Sequence, residues 1–166
     1  GGLVEDSDLP MDSAIRQQVM QAIEEADLLL FVVDAKVGVH PSDARIGDLL
    51  RNSRKPWLLV ANKVDNPDST DFYEFYRLGV TDVYPVSASN GKGSGDLLDA
   101  VVQAIPEKAD EPSNATRVAV IGRPNVGKSS IVNRLLGEDR LVVSDESGTT
   151  RDAIDAPMSY HGQELV

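Results

Sequence analysis

The run Gly122-Arg123-Pro124-Asn125-Val126-Gly127-Lys128-Ser129 fits the pattern G-x-x-x-x-G-K-[ST] and constrains the fold more than any other stretch of the chain. Residues 117–121 ahead of it read as a strand and residues 128–136 after it as a helix. The run is therefore a turn between a buried strand and a helix. Glycines at both ends let backbone amides curl around phosphate oxygens with no side chain in the way. Lys128 offers a point charge to terminal phosphates and Ser129 a hydroxyl suited to Mg²⁺. Asn125, Val126, Gly127 and Ser130 complete the candidate cradle, and the helix N-terminus adds partial positive charge.

A second motif lies about sixty residues upstream. Asn62-Lys63-Val64-Asp65 follows the apolar run 57–61, and Ser87-Ala88-Ser89 follows another at 83–86. The carboxylate of Asp65 can accept both N1–H and the exocyclic amine of guanine, a donor pair that adenine lacks. Asn62 can contact the ring and tie its loop down, the stem of Lys63 can cover a base face, and the Ala88 amide can reach the guanine O6. All three motifs follow buried strands, at the edge where α/β sheets bind ligands. Together they predict a GTP or GDP site, with the guanine-reading motif first and the phosphate loop second.

The remaining pattern supports an α/β sheet of six strands and five helices. Helices are expected over 12–26, 41–51, 71–78, 96–105 and 128–136. Strands are expected over 28–34, 57–61, 83–86 and 117–121, with 152–160 and 163–166 as the arms of a hairpin turning at His161-Gly162. Residues 106–116 hold two prolines and four charged residues and read as a linker. Residues 137–151 are polar and lack periodicity, as expected of a loop. Within them, Ser147-Gly148-Thr149-Thr150 offers a hydroxyl that could close over Mg²⁺ and the terminal phosphate, with Thr150 favoured by position. Asp145-Glu146-Ser147-Gly148 matches D-x-x-G but follows no strand, and is read as coincidence. His40 and His161 are expected to be solvated turn residues.

A net charge of −11 argues against strong independent nucleic-acid binding, which needs clustered Lys and Arg. The chain has no cysteine, so disulfides and thiolate metal sites are excluded and a reducing cytoplasm is the expected setting. The longest apolar run, 28–33, is too short to span a bilayer, and residues 1–6 have neither the basic start nor the apolar stretch of a signal peptide.

These motifs resemble the Der (EngA) family of GTPases, which carry two G domains in tandem. Residues 1–105 resemble the later, guanine-reading part of the first G domain, and residues 117–166 the early part of the second, with its phosphate loop and first switch. The resemblance implies a P-loop three-layer sandwich that hydrolyses GTP and acts in assembly of the large ribosomal subunit. It implies that Gly2 belongs to a switch motif, so that Lys128, Thr150 and Gly2 form the catalytic set. It also implies that Ser129 and Thr150 hold Mg²⁺ and that Asn125 helps hold K⁺. Stitched together, the two pieces supply each element of one G domain once, in circularly permuted order. Residues 106–116 can reach roughly 20 Å as a coil, enough for closure within one chain. The competing expectations are a domain-swapped dimer that shares its sites between chains, and a fragment that binds nucleotide without hydrolysis.

Overall fold

The computed structural model describes residues 10–66, 68–105, 115–137 and 156–166. In chain order the elements are α1 (Pro10–Glu25), β1 (Leu28–Asp34), α2 (Pro41–Ser53), β2 (Trp57–Asn62), a 3-10 helix (Asp71–Leu78), β3 (Val83–Pro85), α3 (Ser94–Ala104), β4 (Val118–Ile121), α4 (Lys128–Leu136), β5 (Met158–Tyr160) and β6 (Gln163–Leu165).

β1 organises the molecule. Its sequence Leu-Leu-Leu-Phe-Val-Val-Asp is buried at every position, as a parallel strand covered on both faces must be. Successive side chains point to opposite faces, so the strand feeds two separate cores. Leu29, Phe31 and Val33 pack with Val19 of α1, Ile46 and Leu50 of α2, and Phe75 and Leu78 of the 3-10 helix. Leu28, Leu30 and Val32 pack with Leu97 and Val101 of α3 and Ile131 of α4. The result is a helix–sheet–helix sandwich of three layers.

The sheet order is β3-β2-β1-β4, all parallel. The expected six-stranded sheet takes the form of these four strands plus the antiparallel hairpin β5–β6. The two parts join at a parallel bridge between Thr116 and Leu165. Thr116 N donates to Glu164 O (2.8 Å), Val166 N to Thr116 O (3.0 Å) and Val118 N to Val166 O (2.7 Å). A three-residue β6 offers too few backbone groups to extend the ladder further. The first hairpin arm, expected over 152–160, is a strand only at Met158–Tyr160, and residues 152–155 lie outside the described residues.

Two local expectations change. Residues 71–78 form a 3-10 helix rather than an α-helix. The reason lies in the spacing of Phe72, Phe75 and Leu78, which all pack on the same core. A period of three aligns that stripe in a 3-10 helix and would skew it in an α-helix. His40 is exposed, as expected of a turn residue, but it also caps α2. Its Nδ1 accepts from Ser42 N (3.1 Å), while Asp43 Oδ2 accepts from His40 N (3.0 Å).

Because the chain runs from β1 to β2 and β3 on one side and reaches β4 on the other, the strand order reverses between β1 and β4. Open parallel sheets bind ligands at the C-terminal edge beside such a reversal. Asp34, Asn62 and Gly122 all lie at that edge.

Candidate nucleotide-binding site

The loop from Gly122 to Gly127 leaves the end of β4 and turns directly into α4. Two glycines make the turn possible. Gly122 has φ +150° and Gly127 φ +95°, and a Cβ at either would collide, with Val32 O at the first and with Asn62 Nδ2 at the second. Asn125, between them, adopts φ +63°, which asparagine tolerates better than most residues. Gly127 is also the N-cap of α4 and lends no side chain to the helix amides, so those amides face the loop. The Lys128 ammonium curls back to donate to Gly122 O (3.0 Å) and Arg123 O (2.9 Å). Burial holds its pKa below the ordinary lysine value.

The guanine-reading candidates meet this loop from β2. Asn62 is buried; its Nδ2 donates to Val126 O (2.9 Å) and its Oδ1 accepts from Ala88 N (3.1 Å). Lys63, at φ +70°, sends its ammonium to Asn125 O (2.9 Å) and to Asp34 Oδ2 (2.5 Å). Both residues thus tie two loops more than sixty positions apart to one another. For Lys63 this anchoring was not anticipated from the sequence. The carboxylate of Asp65 accepts from Ser87 Oγ (2.7 Å) and Ser89 Oγ (3.4 Å) on Oδ1, and from Lys36 Nζ (2.6 Å) on Oδ2. The Lys36 bond, followed by the Ser87 bond, holds the Asp65 pKa below its ordinary value.

The structure therefore brings Asn62, Lys63, Asp65, Ser87, Ala88 and Ser89 to the same sheet edge as Asn125, Val126, Gly127 and Lys128. Ser129 and Ser130 lie half-buried in the first turn of α4. Thr150 and Gly2 lie outside the described residues.

Four contributors escaped the sequence reading. Lys36 follows β1 and pairs with Asp65. Arg134 of α4 donates Nε–H to Ala88 O and Nη2–H to Ser89 O, both at 2.9 Å. Arg123 reaches from the phosphate loop to the fully buried Asp43 of α2, with Nε–Oδ1 at 2.8 Å and Nη2–Oδ2 at 3.3 Å. The only sequence hint of that ion pair is an acidic residue in the first turn of α2, which an exposed helix would carry equally well.

Among the described residues no group of three or more His, Cys, Asp or Glu side chains could hold a metal, and no helix is long and apolar enough to cross a membrane.

Comparison with known proteins bears on this geometry. The family described as the elongation factor Tu GTP binding domain matches residues 8–107, more than half of the chain. The chain belongs to the GTP-binding domain family. A second GTP-binding family, described as 50S ribosome-binding GTPase, matches residues 117–166. The chain is homologous over its whole length to GTPase Der of Gemmatimonas aurantiaca, at 84% identity over 166 residues. It is 49% identical over 168 residues to GTPase Der of Staphylococcus aureus, covering 99% of this chain. It spans 38% of the length of each of these two proteins. Among solved structures, YjeQ from Thermotoga maritima superposes with a TM-score of 0.54 at 20% identity, covering 85% of this chain and 46% of that one, a likeness of fold.

The two family matches fall on either side of residues 108–116. The candidate guanine-reading motif lies in one matched segment and the phosphate loop in the other.

Proposed function

We propose that residues 1–105 and 117–166 form one composite, circularly permuted G domain that binds GTP and GDP and hydrolyses GTP to GDP and phosphate. The observation that carries this reading is the pair of contacts from Asn62 Nδ2 to Val126 O and from Lys63 Nζ to Asn125 O. They bring the loop that carries Asp65 against the phosphate loop, which supports a shared nucleotide site. Asp65 selects guanine by accepting two donors at once, and the loop amides with Lys128 take the phosphates. In hydrolysis Lys128 balances negative charge that builds up on the transferring phosphoryl oxygens.

Mg²⁺ fits this donor set. It binds few protein ligands and relies on substrate phosphates and water, and Ser129 supplies a hydroxyl beside the cradle. Ser129 and Thr150 would hold Mg²⁺, which would supply positive charge to offset that of the phosphates. Thr150 is the candidate for a second protein oxygen, and Asn125 for the K⁺ contact. Gly2 belongs to the second switch in this reading. The match of residues 117–166 to the family described as 50S ribosome-binding GTPase favours a role for the intact protein on the large ribosomal subunit, in the cytoplasm.

Binding of fluorescent GDP at millimolar Mg²⁺, followed by single-turnover GTP hydrolysis with and without K⁺, tests the reading. Saturable GDP binding with measurable turnover is the expected result. Binding without turnover would reduce the proposal to a nucleotide-binding module, and no GDP binding would overturn it. Asp65→Asn is expected to shift preference from guanine to xanthine nucleotide, because an amide can donate to the O2 that replaces the exocyclic amine.

A further inference from the structure

We infer that Arg134 is a positioning residue for the base-reading loop, making α4 a rigid link between the phosphate end and the guanine end of the site. The inference rests on the proposed guanine-nucleotide reading. Arg134 lies six residues beyond Lys128 on the same helix, about 9 Å along its axis at 1.5 Å per residue. Its guanidinium donates to two consecutive carbonyls, Ala88 O and Ser89 O, both at 2.9 Å. A planar fork with fixed donor directions suits two adjacent acceptors, and a single ammonium does not reproduce it. The following turn closes beneath the same group, since a Cβ at Gly91 would lie 3.2 Å from Arg134 Nη1.

What the fork holds is the base-reading machinery. The amide of Ala88, on the same short loop as the two clamped carbonyls, donates to Asn62 Oδ1 (3.1 Å). Ser87 Oγ and Ser89 Oγ donate to Asp65 Oδ1 and fix the carboxylate that meets the guanine edge. Without Arg134 the carbonyls of Ala88 and Ser89 turn to water, and the loop loses a two-pronged side-chain tie to α4. Lys128 bonds instead to Gly122 O and Arg123 O, and Arg123 to Asp43. Arg134 thus bears directly on base recognition and reaches the phosphate loop only at one remove, through Asn62.

Calorimetric titration of GDP, ADP and inorganic tripolyphosphate into the wild-type chain, Arg134→Ala and Arg134→Lys tests this separation. Arg134→Ala is expected to weaken GDP about tenfold, narrow the preference for GDP over ADP, and leave tripolyphosphate within twofold of wild type. Arg134→Lys keeps the charge and stem and is expected to recover part of the GDP affinity. Wild-type GDP affinity in both variants would overturn the inference. So would equal weakening of GDP and tripolyphosphate, which marks a general loss of structure. Failure of the wild-type chain to bind GDP would instead overturn the guanine reading on which the inference rests.

Discussion

Two lysines act in opposite directions at the site. Lys36 Nζ takes Asp65 Oδ2, an oxygen a guanine donor requires in the proposed reading, so base binding there would displace it. Exposed ion pairs contribute little net stability and are screened by salt. Lys36→Met is therefore expected to tighten GDP binding about two- to fivefold and to flatten its salt dependence, measured by fluorescence titration at two ionic strengths. The pair also carries a pH signature. Asp65 has a depressed pKa, so its contribution is present above the ordinary value of 3.8 and lost as pH falls through the lowered one. Lys36 has a raised pKa, so its contribution is present below 10.5 and lost as pH rises through the raised one. Lys128 behaves in reverse: burial depresses its pKa below 10.5, so the folded chain releases that proton at lower pH than the unfolded chain does. The associated penalty is present at neutral pH and fades as pH climbs towards 10.5. Polyphosphate needs the ammonium, so its affinity is expected to fall as pH rises through that depressed value. Lys128→Arg, which stays charged, is expected to lack the fall. That the two motifs share a sheet edge was legible in the sequence, because each follows a buried parallel strand. Lys36 and Arg134 were not, because their partners are set by the turn of loops and leave no trace in local pattern.

At the scale of elements, helices and strands followed from periodicity, and the departures have local causes. The 3-10 helix Asp71–Leu78 follows its apolar stripe, while α4 ends where expected because Gly137, at φ +72°, stops it. What periodicity could not supply is how elements from the two matched segments grip each other. The strongest such grip is Arg123–Asp43, joining the phosphate loop to α2 with the carboxylate fully buried and Arg123 only 15% exposed. Removing one partner of a buried pair leaves the other charge stranded, at a cost of about 3–5 kcal/mol. Asp43→Ala also removes the reciprocal cap with His40. Urea unfolding is expected to show a loss of that size for Asp43→Ala. The double variant Asp43→Ala/Arg123→Met is expected to regain part of it, because no charge is then left unpaired.

For the whole molecule, the question raised by the motif order is whether one chain completes one site. The two segments grip each other from the β1–β4 pairing to the Arg134 fork. Mixing Asp65→Ala chains with Lys128→Ala chains after joint unfolding and refolding distinguishes the arrangements. A site confined to one chain is expected to stay defective in the mixture. Sites shared across a swapped dimer would give intact sites and recover GDP binding. The sheet order itself sets the order of events when such a chain is made. β1 is the central strand, yet its neighbour β4 begins 90 residues later, Leu28 facing Val118. Until residues 118–121 leave the ribosome, the guanine-reading segment carries an open, wholly apolar flank on its innermost strand. That flank invites holding by a chaperone, or pairing with a strand from another nascent chain. The arrival of β4 closes that flank and brings the phosphate cradle to the sheet edge together, so nucleotide binding serves as a timestamp for completion of the sheet.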